Sequence, residues 1–315
     1  MTDDAPDAQA NAPAKPDDIA ASVVTTWRTY ALHLGLFGAA CGTTYWKGGL
    51  AFAASLMGIL LAHELGHYVV ARYHGVAVSL PYFIPLPPQF SLGTLGAVIR
   101  MPDAISDRRK LFDIGAAGPI AGMLVALPLL VIGLQHSQIG PIETDAMIEG
   151  NSLLYAALKL IIFGRWLPGD GMDVQLHPMA FAAWVGLLVT MINLIPIGQL
   201  DGGHIAQALL GPRHEALSRR LHVAMPIIGG VAGTMLFITA LAAGHTGLDA
   251  LVYASRGVMP WMVWAAMLWW MRRGSDRYHP PTSEVPLDRR RQRVALGLLL
   301  LFIAIFTPVP FRSPL

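Results

Sequence analysis

Charged residues are scarce in this sequence, and their scarcity argues against an ordinary soluble domain. Only 13% of the 315 residues are Asp, Glu, Lys or Arg, and 54% are hydrophobic, whereas soluble domains carry about 25% charged residues. Cysteine occurs once, at Cys41. That single thiol excludes an intramolecular disulfide and a cysteine-based zinc cluster. The composition is typical of a membrane protein.

Apolar stretches approach the roughly 20 residues that cross about 30 Å of hydrocarbon. They lie near residues 30–46, 50–73, 115–135, 178–196, 222–244, 257–271 and 294–311. We therefore predict an all-α polytopic membrane protein with about six to seven transmembrane helices. Residues 1–29 are rich in Ala, Asp and Pro and are predicted to be a disordered tail. Residues 30–315 are predicted to form a single integral membrane domain.

Lys and Arg cluster in only some of the loops. Because basic residues accumulate in cytoplasmic loops, we expect the N-terminus, 74–110, 204–221 and 272–293 on the cytoplasmic side and 137–150 outside. The basic run that ends at Arg293 directly precedes an apolar stretch, which favours a topological anchor and no nucleic-acid partner. The absence of a transit peptide, together with the Asp-rich tail, leads us to expect a prokaryotic inner membrane.

The 74–110 loop contains a short extended segment. Its prolines, Pro81, Pro85, Pro87 and Pro88, exclude a helix, and the residues that follow, 94–101, have the pattern of a strand. We predict a small membrane-associated β-hairpin or strand that rests against the bilayer. Residues 94–101 could pair with an extended substrate, or the hairpin could merely cover an edge or anchor at the interface.

Residues 63–67 are HELGH, an instance of H-E-x-x-H inside an apolar stretch. On a helix, His63 and His67 lie one turn apart on one face and can reach the same metal ion, with Glu64 beside them as a candidate base. An ionisable residue inside a span costs about 3 kcal/mol. The alternative is that these residues lie at a helix end and are hydrated by interfacial water. His63 lies ~20 Å along a span that begins near residue 50, which is too deep in the membrane for such an end.

Two histidines do not complete a catalytic zinc site, which typically has three protein ligands. Asp201, in MINLIPIGQLDGGHIAQ, is expected at the same depth as the two histidines. Pro196 can end the helix there, and Gly198 permits a tight turn, as do Gly202 and Gly203. The alternative is an ordinary loop aspartate at a helix end.

HELGH on one helix, together with NLIPIGQLDGG at the end of a later one, resembles the site-2 protease family of intramembrane zinc metalloproteases, peptidase M50. The resemblance covers a catalytic core of about residues 50–210. The segment GTLGAVIRMPDAISDRRKLFDIGAAGPIAG is similar to the branch that includes chloroplast members and their prokaryotic relatives. The loops are too short for the PDZ domain that many bacterial members carry.

The resemblance implies one zinc ion per chain, bound by His63, His67 and Asp201, with Glu64 as general base. It also implies that Asn193 lies near the reacting carbonyl, although a buried asparagine could equally bond helix backbone. The implied substrate is a membrane-spanning protein, cleaved within or near the cytoplasmic side of the bilayer. The sequence carries no signal for an oligomeric state.

Other interpretations are open at some of these residues. A zinc transporter would show repeats with paired broken helices, which the sequence lacks, and a non-catalytic membrane scaffold would have lost a catalytic group. His204 is either a further zinc-site residue or a histidine that faces water at a membrane edge. The small-residue stretch 115–122 is interpreted as a packing device; the alternative is a surface that a substrate or mobile helix approaches.

Overall fold

The protein is described by a computed structural model for residues 27–89, 92–102, 104–143 and 147–313. Most of the predicted N-terminal tail therefore lies outside the described residues. Helices dominate the described chain, as the apolar pattern predicts.

Helix α1 (Trp27–Tyr73) contains both of the first two predicted apolar stretches. Its two halves meet at Gly49, where φ is +74° and ψ is −174°. A positive φ is readily accessible only to glycine, so Gly49 allows the chain to change direction without ending the helical region. The HELGH motif lies in the second half, about 21 Å from this kink at 1.5 Å per residue.

The other helices follow in chain order. They are α2 (Arg108–Gln135), α3 (Leu153–Phe163), α4 (Pro178–Asn193), α5 (Asp201–Leu210), α6 (Arg213–Ala242), α7 (Gly247–Met271) and α8 (Arg289–Ile305). Aspartates cap two of them: Asp107 accepts from the first backbone amides of α2, and Asp288 from those of α8. Such caps satisfy amides that have no partner within the helix.

Among the described residues, three helices are long and apolar enough to cross a membrane, namely α1, α2 and α6. The prediction of six to seven spans is therefore not confirmed by length and composition. The stretch 178–196 shows why: its helix stops at Asn193 after 16 residues, or ~24 Å, because the chain breaks before Pro196.

The predicted extended segment forms an antiparallel hairpin of β1 (Tyr82–Pro85) and β2 (Thr94–Val98). The hairpin packs along the first half of α1: His33 Nδ1 donates to the Pro81 carbonyl at 2.9 Å, and Thr43 Oγ1 donates to the Gly93 carbonyl at 2.6 Å. These contacts are ten residues apart on α1, or ~15 Å. The hairpin thus lies lengthwise beside a helix of the bundle.

Two further small sheets lie at the end of the bundle remote from HELGH, and neither is predicted from the sequence. β3 (Gln138–Pro141) pairs with β5 (Met172–Gln175), and β4 (Ile148–Glu149) pairs with β6 (Phe311–Arg312), both antiparallel. These strands have two to four residues and partners distant in the chain. Local alternation of polar and apolar residues cannot reveal such strands.

A buried ionic cluster ties α3 to these strands. Lys159 is 0% exposed, and its Nζ lies 3.2 Å from Asp173 Oδ1 and 3.8 Å from Glu149 Oε1. Tyr155 donates its hydroxyl to Glu149 at 2.8 Å. Burial raises the pKa of Glu149 despite the attraction of Lys159. The ammonium is thus the cation that both buried carboxylates share.

We predict that Lys159→Met destabilises the folded protein strongly. It leaves Glu149 and Asp173 buried without a cation, and breaking a buried ion pair in this way costs about 3–5 kcal/mol. Thermal unfolding in detergent should show a clearly lower Tm. Lys47→Met, at an exposed lysine whose Nζ donates one hydrogen bond to the Pro88 carbonyl at 3.3 Å, should lower stability by only about 1 kcal/mol. Equal midpoints for the two variants would show that the cluster is not structural.

Candidate metal centre

The three predicted metal ligands converge on one point. Asp201 Oδ2 lies 3.1 Å from His63 Nε2, and Asp201 Oδ1 lies 3.2 Å from His67 Nε2. The two Nε2 atoms are 3.2 Å apart. Zinc–nitrogen and zinc–oxygen bonds of about 2.0–2.2 Å in a tetrahedron place neighbouring ligand atoms roughly 3.3 Å apart. The three side chains therefore have the spacing that a zinc ion requires.

The protonation of these groups also fits a cation. His67 donates Nδ1–H to the Ile114 carbonyl at 2.7 Å, so Nε2 of the neutral ring carries the lone pair. Asn193 Nδ2 contacts His63 Nε2 at 3.4 Å, in a position to donate to it. Asp201 Oδ2 is buried and receives no hydrogen bond from any described residue. Electron-pair donors thus face one another, which is the arrangement of a metal site.

Helix α2 approaches the two histidines through glycines. A Cβ at Gly118 would lie 2.0 Å from His67 Nε2, and a Cβ at Gly122 would lie 3.2 Å from His63 Nδ1. Gly118 and Gly122 are one helical turn apart, as are the histidines. The stretch 115–122 is thus a packing device, as predicted, but it packs against the candidate metal ligands. The four-residue spacing of the two glycines, which equals that of the two histidines, is the signal that sequence reasoning missed.

Asp201 reaches the site because the chain turns sharply after α4. Gly198 has a φ of +60°, which confirms the predicted turn residue. Gly202 and Gly203 are needed for a different reason: a Cβ at either position would lie 2.1 Å from the Leu194 carbonyl oxygen and 2.3 Å from that of Gly198, respectively. The turn folds so tightly on the start of α5 that side chains are excluded.

Glu64 and Asn193 both lie at the centre. Glu64 is 6% exposed and close enough to His67 and Asp201 to interact electrostatically with both. Asn193 is the last residue of α4, and its amide reaches His63. Glu64 follows His63 directly in the chain and Asn193 contacts His63, so both residues lie beside the converging ligands. His63 and His67 are 4% and 5% exposed, so the centre is shielded from bulk solvent.

His204 lies beside the metal centre without joining its three converging groups. Its Nδ1 is 2.8 Å from His279 Nε2, and His279 donates its Nδ1–H to the Pro280 carbonyl at 2.7 Å. Burial and the neighbouring His279 lower the pKa of His204 to about 3, and burial lowers the pKa of His279. Both rings are therefore neutral, and they join α5 to the segment before α8.

Comparison with known proteins places the chain in a family. The model of Peptidase family M50 matches residues 51–237. The probable zinc metalloprotease EGY2 of Arabidopsis thaliana, a chloroplastic protein, is 30% identical over 268 residues, which are 84% of this chain and 42% of the relative. The probable chloroplastic zinc metalloprotease EGY1 of Arabidopsis thaliana is 33% identical over 188 residues, 58% of this chain and 34% of the relative.

A third relative extends over more of the chain. The probable chloroplastic zinc metalloprotease EGY3 of Oryza sativa subsp. indica is 26% identical over 313 residues, 92% of this chain and 47% of the relative. The chain thus spans less than half the length of these curated relatives. No solved structure matches it significantly.

The family match and the geometry agree. Residues 51–237 make up more than half of the chain and contain the three converging side chains as well as Glu64 and Asn193. The chain therefore belongs to peptidase family M50, the site-2 protease family.

Proposed function

We propose that this protein is a membrane zinc metalloprotease that hydrolyses peptide bonds of membrane-spanning substrates, within or near the cytoplasmic side of the bilayer. One observation carries the proposal: the convergence of His63, His67 and Asp201, with Glu64 beside them, inside a helical bundle. Family membership supports the same chemistry. The activity is our proposal for this chain, because it spans less than half the length of its named relatives.

Each residue of the centre has a proposed role. The two imidazoles and the carboxylate would hold the ion, and zinc bound there would act as a Lewis acid that polarises a carbonyl and lowers the pKa of bound water toward about 7. Glu64 takes the proton of the attacking water and later delivers it to the leaving amine. The Asn193 side-chain amide donates a hydrogen bond to the developing oxyanion. Burial keeps these charges in a medium where they interact strongly.

An extended substrate is proposed to pair with β2. Among the described residues, β2 pairs only with β1, and its Leu95 and Val98 side chains are exposed. The Arg100 carbonyl faces the β1 side because it accepts from the Ser79 amide. Backbone groups alternate between the two edges of a strand, so the Ala97 amide is expected on the other edge. A strand could add there; the competing role of the hairpin is to cover α1.

The proposed orientation in the membrane rests on the distribution of charge. Basic residues lie at the end of the bundle that holds the metal centre, including Arg72 in the last turn of α1 and Arg108 in the first turn of α2. The 137–150 segment, which lies at the other end, contains no Lys or Arg. The distribution of basic residues supports a cytoplasmic metal end, and we propose a multi-pass protein of about six to seven spans in a prokaryotic inner membrane, with its N-terminus in the cytoplasm.

We predict that Glu64→Gln keeps zinc and loses hydrolysis. The amide cannot take a proton from water, and a general base contributes about 10²- to 10⁴-fold to rate. Zinc content of the purified chain and cleavage of a reconstituted membrane-spanning substrate measure the two effects. His67→Ala should lose both zinc and cleavage. Zinc flux into sealed vesicles that survives Glu64→Gln would favour a transporter instead.

Gly118→Ala is expected to expel zinc without a substitution at any ligand. The added Cβ would meet His67 Nε2 at 2.0 Å, so the imidazole must rotate away or α2 must move. Gly58→Ala is the matched control in α1, since nothing lies within 4 Å of its Cβ position. Zinc content should fall in Gly118→Ala alone. Normal zinc content in Gly118→Ala would contradict this packing of α2 on the centre.

A third test concerns the hairpin. Ala97→Pro removes the amide that we place on the free edge of β2, so cleavage should be abolished while zinc content remains normal. Ala97→Ser keeps the amide and should cleave like the wild-type protein. Undiminished cleavage by Ala97→Pro would contradict substrate pairing at β2 and would mean that the hairpin only covers α1.

A further inference from the structure

Asp113 in the second turn of α2 is held from two directions. Arg291 Nε lies 2.8 Å from Asp113 Oδ1, and Arg291 Nη2 lies 2.6 Å from Oδ2. His74, just beyond the end of α1, donates from Nε2 to the same carboxylate at 2.9 Å. Two parallel bonds from one guanidinium fix direction as well as distance. Asp113 therefore links α2 both to α1 and to α8.

The next residue of α2 holds a candidate metal ligand. The Ile114 carbonyl accepts from His67 Nδ1 at 2.7 Å, and the Ile114 side chain is 2% exposed. One turn further along, Gly118 leaves no space between α2 and the imidazole. A rotation of α2 that moves Asp113 must also move the Ile114 carbonyl, because both belong to one rigid turn. Groups that orient the second nitrogen of a ligating histidine tune metal affinity.

The guanidinium of Arg291 is itself fixed in place. Asp288 caps α8 by accepting from the backbone amides of Arg290 and Arg291, and its carboxylate also contacts the Arg291 side chain. The hydrogen bond from Arg291 lowers the pKa of Asp288 to about 2. Leu287, Ala295 and Leu298 are buried in the core, which anchors the start of α8 against the bundle.

We propose that Arg291 is a positioning residue of the metal centre. It acts through Asp113 on the Ile114 carbonyl, and so sets the orientation of the His67 imidazole and the affinity for zinc. Arg291 lies outside residues 51–237, the region that the family model matches. A helix beyond the matched region thus tunes the centre within it. The inference rests on the proposed zinc site.

Zinc affinity of the full-length purified chain tests this role directly. Chelator competition should show that Arg291→Gln weakens zinc binding about tenfold, the lower end of the range for partners of ligating histidines. The visible spectrum of the Co²⁺-substituted protein should shift, because the imidazole changes orientation. Arg291→Lys keeps the charge but loses the paired bonds, and should recover part of the affinity. Arg290→Gln removes the same charge from an exposed position on the same helix, and its zinc affinity should equal that of the wild type.

A double variant tests the route. Asp113→Asn and Arg291→Gln act through the same link. The double variant should therefore lose no more zinc affinity than the single variant that has the larger loss. Full additivity would show that Arg291 does not act through Asp113. If Arg291→Gln does not fold, Arg291→Lys carries the same comparison.

The outcomes separate this inference from the proposed function. A wild-type chain that binds no zinc contradicts the proposed function. A wild-type chain that binds zinc, with unchanged affinity and cobalt spectrum in Arg291→Gln and Arg291→Lys, overturns only the role of Arg291.

Discussion

Three electron-pair donors that face one another in a buried site constrain the rest of this structure. The Nε2 atoms of His63 and His67 and the Asp201 carboxylate lie 3.1–3.2 Å apart, and the buried Asp201 Oδ2 receives no hydrogen bond from any described residue. Unsatisfied buried acceptors are costly in a medium of low dielectric. A divalent cation removes that cost, and helices from three places in the chain are arranged to hold the donors where one can bind.

The approach of α2 explains how the donors are held. Glycines at positions 118 and 122 allow α2 to contact the imidazoles directly, and the Ile114 carbonyl fixes one ring by accepting its Nδ1–H. Hydrophobic burial contributes little to helix association in lipid, so the helices of a membrane bundle associate through close contacts at small residues. Here the same close contact also orients ligands, so packing of α2 and assembly of the metal centre depend on the same atoms.

The two ends of the bundle differ in chemistry. The metal end carries basic residues, the break between α4 and α5, and the ion pair of Arg291 with Asp113. The other end carries short strands and the buried Lys159 cluster. The β1–β2 hairpin lies along α1 and presents one edge of β2. The proposed cleavage of an extended polypeptide rests on the buried centre and on this strand edge.

The sequence by itself determined the helical class, the placement of His63, His67 and Glu64 on one helix, the break that delivers Asp201, and the extended segment before α2. These features depend on local rules: the helical repeat, the ring of proline and the apolar content of a stretch. The number of spans did not follow from those rules, because the apolar stretch at 178–196 continues past the end of α4.

Only the tertiary structure decided which surfaces meet. The fit of Gly118 against His67, the link from Arg291 through Asp113 to the Ile114 carbonyl, the lengthwise hairpin and the remote strands all depend on helix rotation and on partners far apart in the chain. Local sequence patterns fix which face of a helix is apolar, but they do not fix which residue on another helix that face will touch.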